Sequence, residues 1–381
     1  MIRCTGPPMD IVCIRYSGVI TCRHLFLSRR QRKSHSISVQ YENSTVMSVN
    51  VLHGSTIKEC RPLGDLKELF DFKSLCCRCT SNPLRSIHEK LPSRSRVLLC
   101  HDFKGGYLLD KHHFDDASEV TDLPNYCASL DYRFEYWDKI DVFVYFSHNL
   151  VTIPPCSWIK QAHANGVKIL GTFIIEWKPK IVDELLAPNN LPRIIKGLVE
   201  VCLETNFDGW LFNIEVDINQ KQVEPLIHLV REVREQLIQA RPGSLVIWYD
   251  SVTTSGKITY HDELVKENKP FFDVCDGIFL NYGWTKDQVK RSEALAGDRA
   301  NDVYVGVDVF GRKTPYEAGF NSPKVAQEIL SSSSCSVAIF APGWVLECND
   351  VEEFTVNQKR FWDKMPALKE STSVEEKQRI L

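Results

Sequence analysis

The chain has 381 residues, 43% hydrophobic and 25% charged, which is enough for a sizeable core in a soluble globular protein. A net charge of −3 gives no long-range field to draw nucleic acid or a membrane surface, and no apolar run reaches the ~18 residues that span a bilayer. Asp10 and Arg15 interrupt the first apolar stretch and no export signal is legible, so the 14 cysteines are expected as free thiols in the cytosol.

Residues 1–60 hold no period for long and read as a poorly ordered arm, with Arg29, Arg30, Arg32 and Lys33 as a solvated cluster. Asn43-Ser44-Thr45 is a formal glycosylation sequon, without consequence in a chain that stays outside the secretory pathway. Residues 61–95 form a lead-in, in which Asp65–Phe72 is predicted as a short amphipathic helix. Cys76, Cys77 and Cys79 cluster but lack the second pair of ligands that a zinc site shows, and no metal or organic cofactor is expected.

From residue 96 the pattern changes. Eight short apolar runs follow: Val97–His101, Ile140–Phe146, Val167–Ile174, Gly209–Glu215, Leu245–Tyr249, Gly277–Tyr282, Val303–Val309 and Ser336–Ala341. Near-continuous apolar strands of this kind are those of parallel sheets, buried on both faces. Helical periodicity lies between them at Ile194–Thr205, Val223–Ala240, Lys286–Leu295 and Pro323–Leu330, and Arg241-Pro242-Gly243 stops the longest. His101-Asp102-Phe103-Lys104-Gly105-Gly106 lacks the G-x-G-x-x-G order of a doubly wound sheet. The predicted fold is α/β, a (β/α)₈ TIM barrel over residues 96–365 with a tail at 366–381.

Such barrels build their sites at the C-terminal ends of the strands. Here those ends carry His148, Glu176, Asn213, Glu215, Tyr249, Asn281 and Asp308, interleaved with tryptophans. Rings to stack on apolar sugar faces, beside groups that bind hydroxyls, point to a carbohydrate. Trp177, Trp284 and Trp344 are expected to face the cleft, and Trp210 and Trp248 to serve as wall or core.

The fourth run is the most specific. Strand side chains alternate, so Leu211, Asn213 and Glu215 share one face. A buried Glu without a basic neighbour in its strand has a raised pKa, which suits a general acid. An ordinary glycosidase would place a second carboxylate about 5–9 Å away. An amide stands there instead, which can hold and polarise but cannot attack. That arrangement points to substrate assistance, in which a 2-acetamido oxygen attacks its own anomeric carbon while Asn213 orients it and Glu215 moves the proton.

The runs LLCHDFKGGYLLD, DVFVYFSHNLVTIPP, GVKILGTFIIEW, FDGWLFNIE, VIWYDSV, FFDVCDGIFLNYGW, DVYVGVDVFGR and VAIFAPGWVLE, spanning about Val97 to Phe361, resemble the family 85 glycoside hydrolases. The resemblance implies an endoglycosidase that cuts between the two core N-acetylglucosamines of N-glycans, free or on glycoproteins. It makes Asn213 the acetamide-orienting residue, Glu215 the acid/base and Tyr249 a further acetamide contact, and it places Trp284 and Asp308 along the cleft. Val216-Asp217 departs from the Asn common after the Glu, and the β-rich C-terminal domains of longer relatives are not expected here. Two other readings remain open. One is a chitinase-like hydrolase, although Leu211 and Asn213 stand where a D-G-x-D-x-D-x-E strand has Asp; the other is an inactive glycan-binding barrel, against which Glu215 speaks.

Overall fold

A computed structural model describes residues 58–72, 89–113, 132–366 and 368, with two short backbone hairpins before them, Ile14–Tyr16 with Val19–Thr21 and Ser36–Gln40 with Val46–Asn50. Of the expected arm at 1–60 and tail at 366–381, residues 1–57 apart from those hairpins, 367 and 369–381 lie outside the described residues, as do Arg29, Arg30, Arg32, Lys33, the sequon and the Cys76, Cys77 and Cys79 cluster.

Eight parallel strands form where the apolar runs stand: β1 Val97–His101, β2 Val142–Tyr145, β3 Lys168–Glu176, β4 Gly209–Glu215, β5 Leu245–Tyr249, β6 Gly277–Phe279, β7 Val303–Asp308 and β8 Ser336–Phe340. Each pairs with the next, and β8 pairs with β1, so the sheet closes into a barrel. Alternation then sorts the side chains into two cores. Leu98, Val144, Leu170, Leu211, Ile247, Phe279, Tyr304 and Ala338 fill the inside. The intervening residues, such as Leu99, Phe143, Phe212 and Val305, pack outward against the helices. Val151–Thr152 adds a short antiparallel pairing to β3.

The helices include α1 Leu66–Phe70, α2 Cys156–Ala164, α3 Leu191–Thr205, α4 Gln220–Ala240, α5 Lys269–Asp273, α6 Lys286–Ala296, α7 Ser322–Ser332 and α8 Phe354–Trp362. α4 starts one polar turn before the apolar periodicity does. Asn219 caps it by accepting from the Lys221 amide at 3.0 Å, and Gln222 reaches back to the Asn219 amide at 2.7 Å, so the orphan donors of that turn are satisfied. The described residues 58–72 pack against the barrel. Cys60 N–H donates to Lys111 O, Leu63 pairs with Val151, and Arg193 of α3 lies 3.8 Å above the Phe70 ring. At the other end Trp362 is fully buried and stacks on Tyr136.

Candidate active site

The parallel register sets Glu176 of β3 opposite Glu215 of β4, and Ile174 opposite Asn213. All four point into the barrel, with Glu176 and Glu215 beyond Ile174 and Leu211 of the inner core. Asn213 and Glu215 are next-but-one neighbours on one face of β4, and Glu176 stands beside Glu215 on the adjacent strand. Burial, followed by the adjacent Glu176, pushes the Glu215 carboxyl up to about 7. Asn213 is only 4% exposed, and its Oδ1 has no hydrogen-bond partner among the described residues. A buried acceptor left unmet costs about 1–3 kcal/mol, so this oxygen is able to take a donor from a bound group.

The rim is built from the loops that follow the strands. His148, after β2, places Nδ1 2.9 Å from Glu176 Oε2, and that hydrogen bond raises the His148 pKa. Trp177 ends β3 in a left-handed backbone (φ 54°), which turns its ring out of the strand and over His148, stacked at 6.1 Å and 81% exposed. A large apolar ring held in the open at a barrel mouth is a ready platform for the face of a sugar.

Tyr249 ends β5 with its hydroxyl donating to Asn281 Oδ1 at 2.9 Å, and it hydrogen-bonds Tyr282 as well. Burial and then the nearby Glu215 push its hydroxyl pKa far up, so it stays a neutral donor. The following loop brings Tyr260 near Glu215. Burial, with the charges of Glu215 and Glu176, pushes Tyr260 up to about 12. Asp250 holds this loop, accepting from the Asp262 amide and the Asn268 side chain at 3.0 Å each; burial pushes Asp250 up to about 7.

Glu215, Asn213, Tyr249, Asn281, Glu176, His148 and Trp177 are thus brought to one mouth. Three other sequence-predicted residues are placed differently. Trp284 is 7% exposed, stacks on Tyr316 at 5.2 Å and spends its indole N–H on Gly306 O at 2.7 Å. Trp344 is partly buried, edge-on to Phe320 at 5.1 Å. Asp308, at the end of β7, is 1% exposed and clasped by Arg312 through two bonds of 2.9 and 3.0 Å. Trp210 and Trp248 are fully buried in the outer core, the latter stacked 4.2 Å from Phe271. Tyr260 and Arg312 were missed by sequence reasoning, since both stand in loops without periodicity. No group of three or more His, Cys, Asp or Glu among the described residues is arranged to hold a metal ion.

Residues 118–380 match the profile described as "Glycosyl hydrolase family 85", more than half of the chain. The chain belongs to this family. It is 44% identical over 307 residues to cytosolic endo-beta-N-acetylglucosaminidase 1 of Arabidopsis thaliana, covering 79% of this chain and 44% of that protein. It is 42% identical over 291 residues to the cytosolic endo-beta-N-acetylglucosaminidase of Homo sapiens, covering 75% and 37%. The chain therefore spans less than half the length of these curated relatives. Among solved structures, the glycoside hydrolase domain of Endo-D from Streptococcus pneumoniae R6 superposes with a TM-score of 0.59 at 19% identity, over 79% of this chain and 50% of that one. That likeness concerns the barrel fold.

Proposed function

We propose that this chain is an endoglycosidase that hydrolyses the β-1,4 bond between the two core N-acetylglucosamines of N-glycans, on free oligosaccharides or glycoproteins. Its relatives carry the name cytosolic endo-beta-N-acetylglucosaminidase, and the same compartment, where N-glycans are removed from glycoproteins, is proposed here. The observation that carries the reading is the buried, unmet Asn213 Oδ1 beside a Glu215 carboxyl raised to about 7. The N–H of a 2-acetamido group is the donor that this oxygen lacks.

In the first step the acetamide oxygen bonds to the anomeric carbon as the glycosidic bond breaks. The leaving oxygen takes the proton of Glu215, and a cyclic oxazolinium ion forms that keeps its N–H. Asn213 aligns the acetamide and polarises its N–H as positive charge spreads over it, while the neutral Tyr249, its hydroxyl held by Asn281, adds a contact at the same mouth. In the second step water attacks the anomeric carbon, gives its proton to Glu215 and reopens the ring with retained configuration. Each group is asked for a conventional contribution, about 10²–10⁴-fold for the acid/base.

Mass spectrometry of a defined N-glycopeptide after incubation tests the activity; a single N-acetylglucosamine left on Asn is expected. Asn213→Ala should lose hydrolysis of the intact glycan yet transfer a preformed glycan oxazoline to an N-acetylglucosamine acceptor, because the step it serves is bypassed. Glu215→Gln should fail in both assays. Equal rescue of both variants would overturn the role given to Glu215.

A further inference from the structure

Two carboxyls meet at the barrel mouth, and their surroundings are unequal. Glu176 and Glu215 are cross-strand neighbours in the parallel register, side by side on the inner face of the barrel. Paired strands lie about 4.8 Å apart, and like charges at that spacing oppose joint ionisation, which favours one proton held by the pair. On the side away from Glu215, Glu176 Oε2 meets His148 Nδ1 at 2.9 Å, and the Trp177 ring covers the imidazole. The Glu176 side chain is only 9% exposed, so this imidazole stands in for the water it has lost. Glu215 has no cation in hydrogen-bond contact. It is faced by the Asn213 amide from its own strand, Glu176 from β3, Tyr249 from β5 and Tyr260 from the loop beyond, with His148 acting at longer range. Asp102, after β1, adds a negative field at His148.

We propose that Glu176 and His148 are positioning residues for Glu215: the His148-bound carboxylate of Glu176 accepts a hydrogen bond from the Glu215 hydroxyl and so holds the pair's single proton on Glu215. This rests on the reading of Glu215 as the acid/base. The raised Glu215 and His148 pKa values agree with the arrangement. The pairing serves both half-reactions. Before cleavage the proton waits on the carboxyl that faces the glycosidic oxygen. Once that proton has left with the departing sugar, two carboxylates face each other, and their repulsion makes Glu215 the stronger base toward the incoming water. That water's proton restores the pair.

The test uses glutamate carrying ¹³C at the side-chain carboxyl, with NMR titration of the whole chain and the pH profile of kcat/KM on the N-glycopeptide. One carboxyl should titrate near neutrality and vanish in Glu215→Gln. In Glu176→Gln its midpoint should fall by about one unit or more, because an amide donor replaces a like charge, and the basic limb of kcat/KM should move down with it. His148→Gln should move both the opposite way, since the pair loses its counter-charge. Glu176→Asp, which keeps the charge, is a second variant in case Glu176→Gln does not fold, and should retain a raised midpoint. A Glu215 midpoint that stays in place in folded Glu176→Gln overturns the pairing, even if the enzyme cleaves glycans. If the midpoints move as expected but the wild type leaves N-glycopeptides intact at every pH, the pairing stands and the endoglycosidase reading falls.

Discussion

The strand that carries the candidate acid/base begins at a position that only glycine can fill. Gly209 opens β4 with φ 147°, and a Cβ there would sit 1.8 Å from Leu245 O, 2.8 Å from its carbonyl carbon and 2.9 Å from its amide nitrogen. In Gly209→Ala two costs add. An L side chain in this backbone region costs about 1–3 kcal/mol. The obstacle is backbone, so β4 and β5 must part, which adds overpacking of about 1–3 kcal/mol. The sum, roughly 2–6 kcal/mol, is a large share of the ~5–15 kcal/mol that holds a domain folded. At about 2–4 °C per kcal/mol for a domain of this size, the melting temperature should drop by about 10 °C. Gly105→Ala is the control: φ is 79°, but nothing lies within 4 Å of the added Cβ, so only the backbone cost applies. Thermal unfolding followed by circular dichroism compares the two. If both variants melt together, the clash at Leu245 is not what makes Gly209 necessary. Turnover should fall as well, since a displacement of about 1 Å can cost 10²-fold in rate, and Asn213 and Glu215 lie four and six residues further along the same strand.

At the other end of the barrel, burial pushes the Asp208 carboxyl up, but His163, Lys168 and Arg241 outweigh it and hold it below the usual range. Its stabilisation is therefore complete above the unfolded carboxylate pKa of ~3.9 and is lost as pH falls through the lower folded value. In denaturant titrations Asp208→Asn should be less stable than wild type at pH 7, and the gap should narrow below pH ~4. A chain starting at Lys58 should fold as the whole does. One starting at Gly64 loses the buried Leu63 and Cys60 and should be less stable by about 2–3 kcal/mol by the same measurement. Glycopeptide cleavage should persist in EDTA, because the proposed chemistry needs only proton transfer and the substrate's own acetamide; loss in EDTA with recovery on adding a divalent ion would refute that.

The barrel was legible because each strand is a run apolar on both faces, and nothing else in the chain reads that way. Strand and helix ends were less so: Val167–Ile174 extends to Glu176, since pairing with β4 carries the strand past its last apolar residue. Alternation was enough to place Asn213 beside Glu215 on the inner face. It could not show Glu176 against Glu215, because the register between β3 and β4 is set by packing across nearly forty residues of intervening chain. Tyr260 left no trace for the same reason, being delivered by a loop that Asp250 anchors from within. Trp284 matched the composition of a sugar site, yet its indole N–H is satisfied inside the wall.

The strained turn at Trp177 has an optical consequence. Of the eight tryptophans, Trp210, Trp248 and Trp362 are fully buried, Trp137 and Trp284 are nearly so, and Trp158 and Trp344 are partly covered, which leaves Trp177 alone at 81% exposure. Its emission should therefore lie at the red edge of the protein's fluorescence and be the fraction that acrylamide reaches first. Anything that settles over the mouth would shield that fraction while the emission of the other seven continues to report on the fold, so binding and unfolding can be followed separately in one unlabelled sample.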